Sequence, residues 1–290
     1  MEQFLQLTLS GITNGAIYAL VALGFVLIYK ASDVINFAQG ELMLVGAYVA
    51  YFFIAQMGLN WPLGVFLTLG VAVVLGVIIE RTVLRPLIGE PIISVIMVTI
   101  GLASLLRAIV LAIWMPLPRA FPAFIPTGEV EILGAIVSID RLWAIGIAVV
   151  MLGLFTLFFR RSSDGIAMRA VADDQQAALS MGISVQRIFA MAWSIAAVTA
   201  AVAGILLANI VGVSGYISNI GLRIFPVVIL GGLDSIPGAI VGGIIIGVLE
   251  AWTGGYIGQG LNQVIPFVVL VIILMVRPYG LFGQRIIERV

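Results

Sequence analysis

Long apolar runs, separated by short polar segments, fill almost the whole chain. A helix needs about 20 apolar residues to cross the hydrocarbon core of a membrane, and runs of about that length recur from end to end. They cover residues 5–29, 37–57, 61–80, 91–115, 142–159, 187–212, 223–233, 236–252 and 263–276. The pattern predicts an all-α fold, a polytopic transmembrane helical bundle of about eight to nine spans, with residues 1–290 forming a single transmembrane domain.

Three segments interrupt this pattern. The Pro-rich stretch 116–141 predicts an external loop with a short hairpin, and the stretch 160–187 is too polar to cross a membrane. The run 223–252 is broken by the Gly/Pro-rich sequence at 233–238. Two readings stay open for that break: irregular backbone lining a cavity at membrane depth, or a tight turn between two short spans.

Composition agrees with lipid as the solvent of this chain. Hydrophobic residues make up 62% of the chain and charged residues 10%, whereas a soluble domain averages roughly 45–50% and 25%. Net charge is zero, and the sequence contains no cysteine and no histidine. These values point away from nucleic-acid binding, disulfides, thiolate chemistry and the commonest general base and metal ligand. We therefore expect no catalytic residues and no metal site.

The positions of Lys and Arg predict the orientation. If the first helix runs inward, ten basic residues fall in cytoplasmic segments and three fall outside, which satisfies the positive-inside rule. This places the N-terminus in the periplasm and the C-terminus in the cytoplasm, with nine crossings. The ten are Lys30, Arg81, Arg85, Arg160, Arg161, Arg169, Arg187, Arg277, Arg285 and Arg289, and the three are Arg119, Arg141 and Arg223.

Polar residues near the N-terminus are candidates for a translocation pathway. Asn14 and Tyr18 are four residues apart and share one face of the first helix, which faces either the bundle interior or the pathway. Asn36, Gln39 and Glu41 form a corner between the first two spans. Either Asn36 caps the second helix and Glu41 lies near its positive end, or the corner lines the inner mouth.

Two further features within the spans favour packing roles. Arg107 lies inside an apolar run near its outer end, and we expect it to snorkel or to pack. Gly238 and Gly242, and Gly243 and Gly247, are small-xxx-small pairs on one helix, which allow helix backbones to approach closely.

The polar stretch 160–187 predicts a pair of short cytoplasmic helices. Asp173 or Asp174 can cap a helix that Gly182 ends. Small and apolar residues leave one face of the pair uncovered: Ile166, Ala170, Ala177, Ala178 and Met181. Such a face is either a docking surface for a soluble partner or an interfacial element resting on lipid.

Four motifs carry a resemblance that extends over essentially the whole chain. VINFAQGELMLVGAY at 34–48, GIAMRAVADDQQAALSMGI at 165–183, PVVILGGLDSIPGAIVGG at 226–243 and VRPYGLFG at 276–283 resemble the permease subunits of branched-chain amino acid ABC importers. Gln39 stands where many members have His, and Asp234 stands where many have Gly. Both differences are candidates for tuning substrate choice.

The resemblance implies a set of partners. It implies a second homologous permease subunit, two cytoplasmic ATPase subunits and a periplasmic substrate-binding protein, in the inner membrane of a bacterium. No cofactor is expected on this chain, because ATP and Mg²⁺ would bind the ATPases and no Gly-x-x-x-x-Gly-Lys phosphate loop is present in the sequence.

The polar pattern and the resemblance together give candidate site residues. Coupling to the ATPase is expected from Gly165, Met168, Arg169, Ala170, Asp173, Asp174, Ala177, Gly182 and Ile183. The pathway is expected to include Asn14, Tyr18, Asn36, Gln39, Glu41 and Asp234. Along that pathway we expect small apolar and amide-bearing residues rather than an ion pair.

The expected solutes are branched-chain or other small amino acids, and urea, short amides and small carboxylic acids stay open. An ion-coupled secondary transporter is the main alternative, and it would place carboxylates inside the spans. The sequence instead predicts Glu41, Asp234 and Glu250 near helix ends. An intramembrane enzyme is disfavoured, because no nucleophile with a base is evident.

Overall fold

Helices make up nearly all of the regular structure. The computed structural model describes residues 2–88, 90–132, 134–258 and 260–283, so Arg285 and Arg289 lie outside the described residues. Its α-helices are α1 (Glu2–Ser32), α2 (Gln39–Tyr51), α3 (Trp61–Ile79), α4 (Ile92–Trp114), α5 (Ile139–Arg161), α6 (Ser163–Asp173), α7 (Gln175–Ser180), α8 (Val185–Val211), α9 (Tyr216–Leu222), α10 (Ile224–Gly231), α11 (Ile236–Tyr256) and α12 (Ile265–Val276). Short π-helical segments extend α2 over Phe52–Gln56 and α3 over Glu80–Leu84.

Six helices in the described part of the chain are long and apolar enough to cross a membrane. They are α1, α3 with its extension to Leu87, α4, α5, α8 and α11. Tyr216–Gly231 and Leu261–Val276 are shorter apolar stretches. The prediction of a helical membrane protein is therefore confirmed, whereas the count of eight to nine spans is not. The difference arises because several apolar runs form short or interrupted helices.

α1 and α8 occupy the centre of the bundle. Ile17 to Leu23 of α1 are buried almost completely, and so are Trp193, Ala196 and Ala200 of α8. α1 packs along α11 at very short distance, because a Cβ atom on Gly15 would lie 2.7 Å from the Gly243 carbonyl oxygen. The packing role predicted for the glycines of α11 is thus present in the structure.

α3, α4, α5 and α12 form the periphery. Phe66 of α3, Ile93 of α4 and Val149 of α5 are each more than half exposed. Large exposed apolar faces on a helical bundle are stable against lipid or against another subunit.

The two ends of the bundle differ, and we name them by one residue each. At the Arg141 end, Arg141 Nη1 donates to Ser10 Oγ in α1, and strands β1 (Glu129–Ile132) and β2 (Ala135–Ser138) form an antiparallel hairpin. The short hairpin predicted within 116–141 is therefore present. At the Lys30 end, the Lys30 ammonium lies 6.0 Å from the centre of the Phe159 ring, at the end of α5.

The Gly/Pro-rich break at 233–238 is a tight turn at the Lys30 end. Residues 232–235 join α10 to α11, and Ser235 Oγ caps α11 by accepting from Gly238 N at 3.1 Å. The break is thus a short turn between two helices, which both readings of the sequence share, and its depth in the membrane stays a prediction. Irregular backbone inside the bundle occurs elsewhere, between α1 and α2.

Candidate functional site

The segment between α1 and α2 leaves the Lys30 end and returns into the bundle. α1 ends at Ser32, residues 33–38 form no regular helix, and α2 begins at Gln39. Gln39 Nε2 donates to the carbonyl oxygens of Val21 and Ala196, at 3.4 and 3.2 Å, in the central parts of α1 and α8. The polar corner predicted at the inner mouth therefore lies inside the bundle.

Asn36 shapes this irregular segment. Its Oδ1 accepts from Ala38 N at 3.0 Å, and its Nδ2 donates to Gln39 Oε1 at 3.0 Å. The N-cap position of α2 is Ala38, so Asn36 is not the cap that the sequence predicts. Thr99 of α4 secures the segment from the other side, because its hydroxyl donates to the Ile35 carbonyl oxygen at 3.2 Å. The Ile35 carbonyl and the Ala38 N–H, both in the break, thus gain side-chain partners.

Glu41, buried in the first turn of α2, belongs to an ionic cluster whose basic member is partly exposed. Arg107 Nη2 of α4 lies 2.6 Å from Glu41 Oε1, and Ser218 Oγ of α9 donates to the same oxygen at 2.8 Å. Arg107 also donates to Ser218 Oγ. Arg107 therefore pairs with a carboxylate of a neighbouring helix while its own side chain stays 44% exposed, and its expected snorkelling stays a prediction. This cluster joins α2, α4 and α9.

A second buried ionic cluster surrounds Tyr18, near the middle of α1. The Tyr18 hydroxyl donates to Glu250 Oε2 of α11 at 2.6 Å, and Arg223 Nη1 donates to the same oxygen at 3.2 Å. Arg223 Nη2 donates to the Tyr216 hydroxyl at 3.2 Å. Arg223 interrupts the helical stretch between α9 and α10. An ion pair therefore lies beside Tyr18, where the sequence predicts small apolar and amide-bearing residues.

A cavity of about 590 Å³ opens beside this cluster, toward the Arg141 end. Asn14, Tyr18, Arg223 and Glu250 line it, together with Ser10 and Arg141 near its outer part. The rest of its wall combines the aliphatic side chains of Leu7, Leu207, Ile210, Val211 and Ile220 with Tyr216, Asn262 and Gln263 and the small residues Ala251, Gly254 and Gly255. Its volume falls in the range of roughly 300–1,000 Å³ typical of small-molecule sites, and its lining offers both charges and an apolar surface.

Asp234 lies far from this cavity along the bundle. It sits in the turn before α11 and lines a separate cavity of about 670 Å³ at the Lys30 end, with Lys30, Arg160 and Arg169. The predicted pathway residues therefore fall into three places. Asn14 and Tyr18 share the cavity, Asn36, Gln39 and Glu41 are buried around the start of α2, and Asp234 is at the Lys30 end.

The predicted pair of short helices in 160–187 is present as α6 and α7. Ser162 Oγ caps α6 by accepting from Gly165 N at 2.9 Å. Asp174, rather than Asp173, caps α7, because its Oδ1 accepts from Gln176 N at 2.8 Å and Ala177 N at 2.9 Å. Gly182 ends the pair with a φ of +82°, a conformation that favours glycine.

The residues predicted to couple to an ATPase differ in their burial. Gly165 and Met168 are buried, and Arg169 donates to the carbonyl oxygens of Phe159 and Arg160 at the end of α5; these residues hold α6 against α5. Ala170 and Ile183 are half-buried. The exposed residues are Asp173, Asp174, Ala177 and Gly182, beside the exposed apolar side chains of Leu179 and Met181.

Comparison with known proteins identifies the family of this bundle. Residues 7–274 match the family described as branched-chain amino acid transport system / permease component. The chain is 35% identical to the high-affinity branched-chain amino acid transport system permease protein LivH of Escherichia coli, over 99% of this chain and 98% of that protein. BraD of Pseudomonas aeruginosa, with the same description, is 34% identical at the same coverage. A probable branched-chain amino acid transport permease protein LivH of Methanocaldococcus jannaschii is 30% identical over 91% of this chain and 88% of that protein.

The chain belongs to this permease family. The resemblance drawn from its four motifs is therefore confirmed, and the chain is an amino acid transport permease homologue. This permease buries two carboxylates, Glu41 and Glu250, that the sequence predicts near helix ends. The family match, and not the position of the carboxylates, is thus what argues against an ion-coupled secondary transporter.

Sequence reasoning missed Arg223 and Glu250 as cavity residues and did not identify Glu41 as the partner of Arg107. One signal was available, since an ionisable residue within an apolar run is by default a candidate functional residue with an unknown partner. The partners themselves come from distant positions, as in the pair of Tyr18 with Glu250. A single sequence does not show which distant residues are in contact, so it cannot identify these partners.

Proposed function

We propose that this chain is the membrane-spanning permease subunit of a binding-protein-dependent ABC importer for branched-chain or other small amino acids. The match of residues 7–274 to the permease family carries this proposal, and the names of the relatives supply the solute class. The subunit itself is non-catalytic. ATP and Mg²⁺ bind two cytoplasmic ATPase subunits, and a periplasmic binding protein delivers the amino acid to a pair of permease subunits.

The orientation follows from the distribution of basic residues on the two ends of the bundle. Lys30, Arg160 and Arg169 surround one cavity at the Lys30 end, and the positive-inside rule assigns such an end to the cytoplasm. The Arg141 end then faces the periplasm in the inner membrane. α9 and α10 together, although interrupted at Arg223, run from the Arg141 end to the Lys30 end, which supports a crossing in addition to the six long helices.

Coupling to ATP hydrolysis is assigned to α6 and α7. The pair is capped at both helix starts, which lets it move as one body, and it exposes Ala177, Leu179 and Met181 at the cytoplasmic end. Gln175 Nε2 donates to the Ala31 carbonyl oxygen at 3.4 Å, in the last turn of α1. A displacement of α7 by an ATPase therefore acts on the central helix of the bundle.

The test is reconstitution. The chain is purified with the ATPase and permease subunits that travel with it, placed in proteoliposomes, and supplied with its binding protein and radiolabelled leucine. We expect uptake that needs both ATP and the binding protein. Uptake driven by a proton or sodium gradient without ATP would overturn the proposal.

The same assay resolves the solute class. Isoleucine and valine should compete with leucine, whereas urea, acetamide and succinate should not. If urea, acetamide or succinate is transported and leucine is not, the solute of this permease belongs to one of those other classes.

A further inference from the structure

We propose that the cavity beside Tyr18 binds the solute directly, with Glu250 holding the ammonium group and Arg223 holding the carboxylate of an aliphatic α-amino acid. The inference rests on the proposed function for its solute class. It adds a binding site within the permease, separate from any site on the binding protein.

Glu250 has an acceptor oxygen that the fold does not use. Its Oε2 accepts hydrogen bonds from Tyr18 Oη and Arg223 Nη1. Its buried Oε1 accepts no hydrogen bond from any residue that the structure describes. The residue is 3% exposed. A buried charged oxygen without a donor is costly, and an ammonium group provides a donor with the complementary charge.

Arg223 presents the opposite charge to the same cavity. It is buried, and its Nη1 and Nη2 atoms contact Glu250, Tyr18 and Tyr216 at 3.2 to 3.4 Å. A guanidinium group binds carboxylates through its planar set of donors, and the Tyr216 hydroxyl beside it can also donate. Two opposite charges that lie next to each other match the two charged groups on the α-carbon of an amino acid.

The aliphatic part of the cavity wall suits an aliphatic side chain. Leu207 and Ile210 of α8, Ile220 of α9 and Leu7 of α1 form it. From Leu7 to Tyr18 the cavity follows α1 for about 17 Å at 1.5 Å per residue. A solute released at the periplasmic face thus reaches the charged pair along one helix.

This arrangement separates amino acids from the other solutes of the proposed class. An amino acid supplies both a donor for Glu250 and an acceptor for Arg223. Urea and short amides supply no charge, and a simple carboxylic acid leaves the Glu250 oxygen without a donor. A polar site left partly unpaired discriminates strongly against such analogues.

The absence of cysteine allows a direct test. Asn14→Cys places one thiol in the cavity, and Thr127→Cys places one on an exposed loop position at the same end. In the purified complex without binding protein, a methanethiosulfonate reagent modifies each thiol. We expect leucine to slow modification of Asn14→Cys at least about tenfold and to leave Thr127→Cys unchanged.

Analogues and charge variants then test the head group. 4-Methylpentanoate lacks the ammonium and 3-methylbutylamine lacks the carboxylate, so each should need at least about tenfold higher concentration than leucine for equal protection. The double variant Arg223→Gln/Glu250→Gln, in the Asn14→Cys background, should lose protection by leucine. As a control, Glu80→Gln/Arg85→Gln removes an ion pair of 2.7 Å that lies outside the cavity, at the end of the α3 extension. This variant should retain protection by leucine.

The outcomes are distinct. Equal protection by leucine and both analogues would overturn the head-group assignment. No protection of Asn14→Cys by leucine would overturn the binding site itself, and that result does not depend on whether the double variant folds. Leucine uptake by the reconstituted wild-type assembly is measured in parallel. Uptake without protection refutes this inference alone, whereas loss of both refutes the proposed function as well.

Discussion

Two ion pairs inside this bundle join residues from different helical segments. Glu41 meets Arg107 and Glu250 meets Arg223, and each pair has a hydroxyl partner, Ser218 or Tyr18. Charges buried in a membrane protein are costly unless they find such partners. The pairs therefore join α2 to α4, and the junction of α9 and α10 to α11, along otherwise apolar contacts.

The pair of Glu41 and Arg107 gives a prediction on stability. The Glu41 side chain is 6% exposed and that of Arg107 is 44% exposed, so Arg107→Met leaves a buried carboxylate without its charge partner. We expect a loss of about 1–3 kcal/mol, seen as a Tm in detergent lowered by on the order of 5 °C.

Two further variants control this measurement. Glu41→Gln added to Arg107→Met should recover part of the loss, because the uncompensated charge is gone. Arg187→Met breaks the exposed pair with Asp164 and should cost no more than about 1 kcal/mol. An equal Tm for Arg107→Met and the wild type would show that the buried pair does not stabilise the bundle.

At the scale of elements, short and interrupted helices carry the polar chemistry. α2 begins inside the bundle, and the stretch from α9 to α10 is interrupted at Arg223. Interrupted helices expose backbone polar groups, which are tolerated where protein or a cavity satisfies them. Such helices frequently form the binding sites of transporters, and the two here supply Glu41 and Arg223.

The helical pair α6–α7 gives a prediction on coupling. Ala177 is exposed on α7, so Ala177→Glu should leave the permease folded while a bulky charge blocks docking of the ATPase. We expect co-purification of the ATPase and transport in proteoliposomes to fall at least about tenfold, because a buried unpaired charge in an interface is costly.

Ala177→Ser is the matched control for this position, and it should retain both activities. Gly182→Trp is a less selective variant, because the positive φ of Gly182 means that any side chain strains the end of α7. Full ATPase binding and transport by Ala177→Glu would contradict the coupling assignment.

At the scale of the whole molecule, the orientation is open to a labelling experiment. Ser163 and Thr127 are exposed at opposite ends of the bundle, and the chain has no native cysteine. A membrane-impermeant maleimide should label Thr127→Cys in intact spheroplasts and should label Ser163→Cys only after permeabilisation. The reverse pattern would invert the assigned topology.

The sequence alone predicted the helical elements well where the apolar runs are long. The runs at 91–115 and 187–212 correspond to α4 and α8, and the polar stretch 160–187 contains α6 and α7. The periodicity failed where a run is interrupted. The run 37–57 corresponds to α2 and its extension, whereas the run 223–233 forms only the short helix α10, because the helical stretch that begins at Tyr216 is interrupted at Arg223.

The sequence by itself determined that the chain spans a membrane, where its long helices lie and to which family it belongs. Hydropathy and local motifs are enough for this, because they are properties of neighbouring residues. The tertiary structure decided which residues share a site. Tyr18 and Glu250 are 232 positions apart and hydrogen-bonded, and Gly15 and Gly243 bring their helices together. Hydropathy is alike for every apolar helix in lipid, so close backbone contact and the pairing of buried charges select the neighbours.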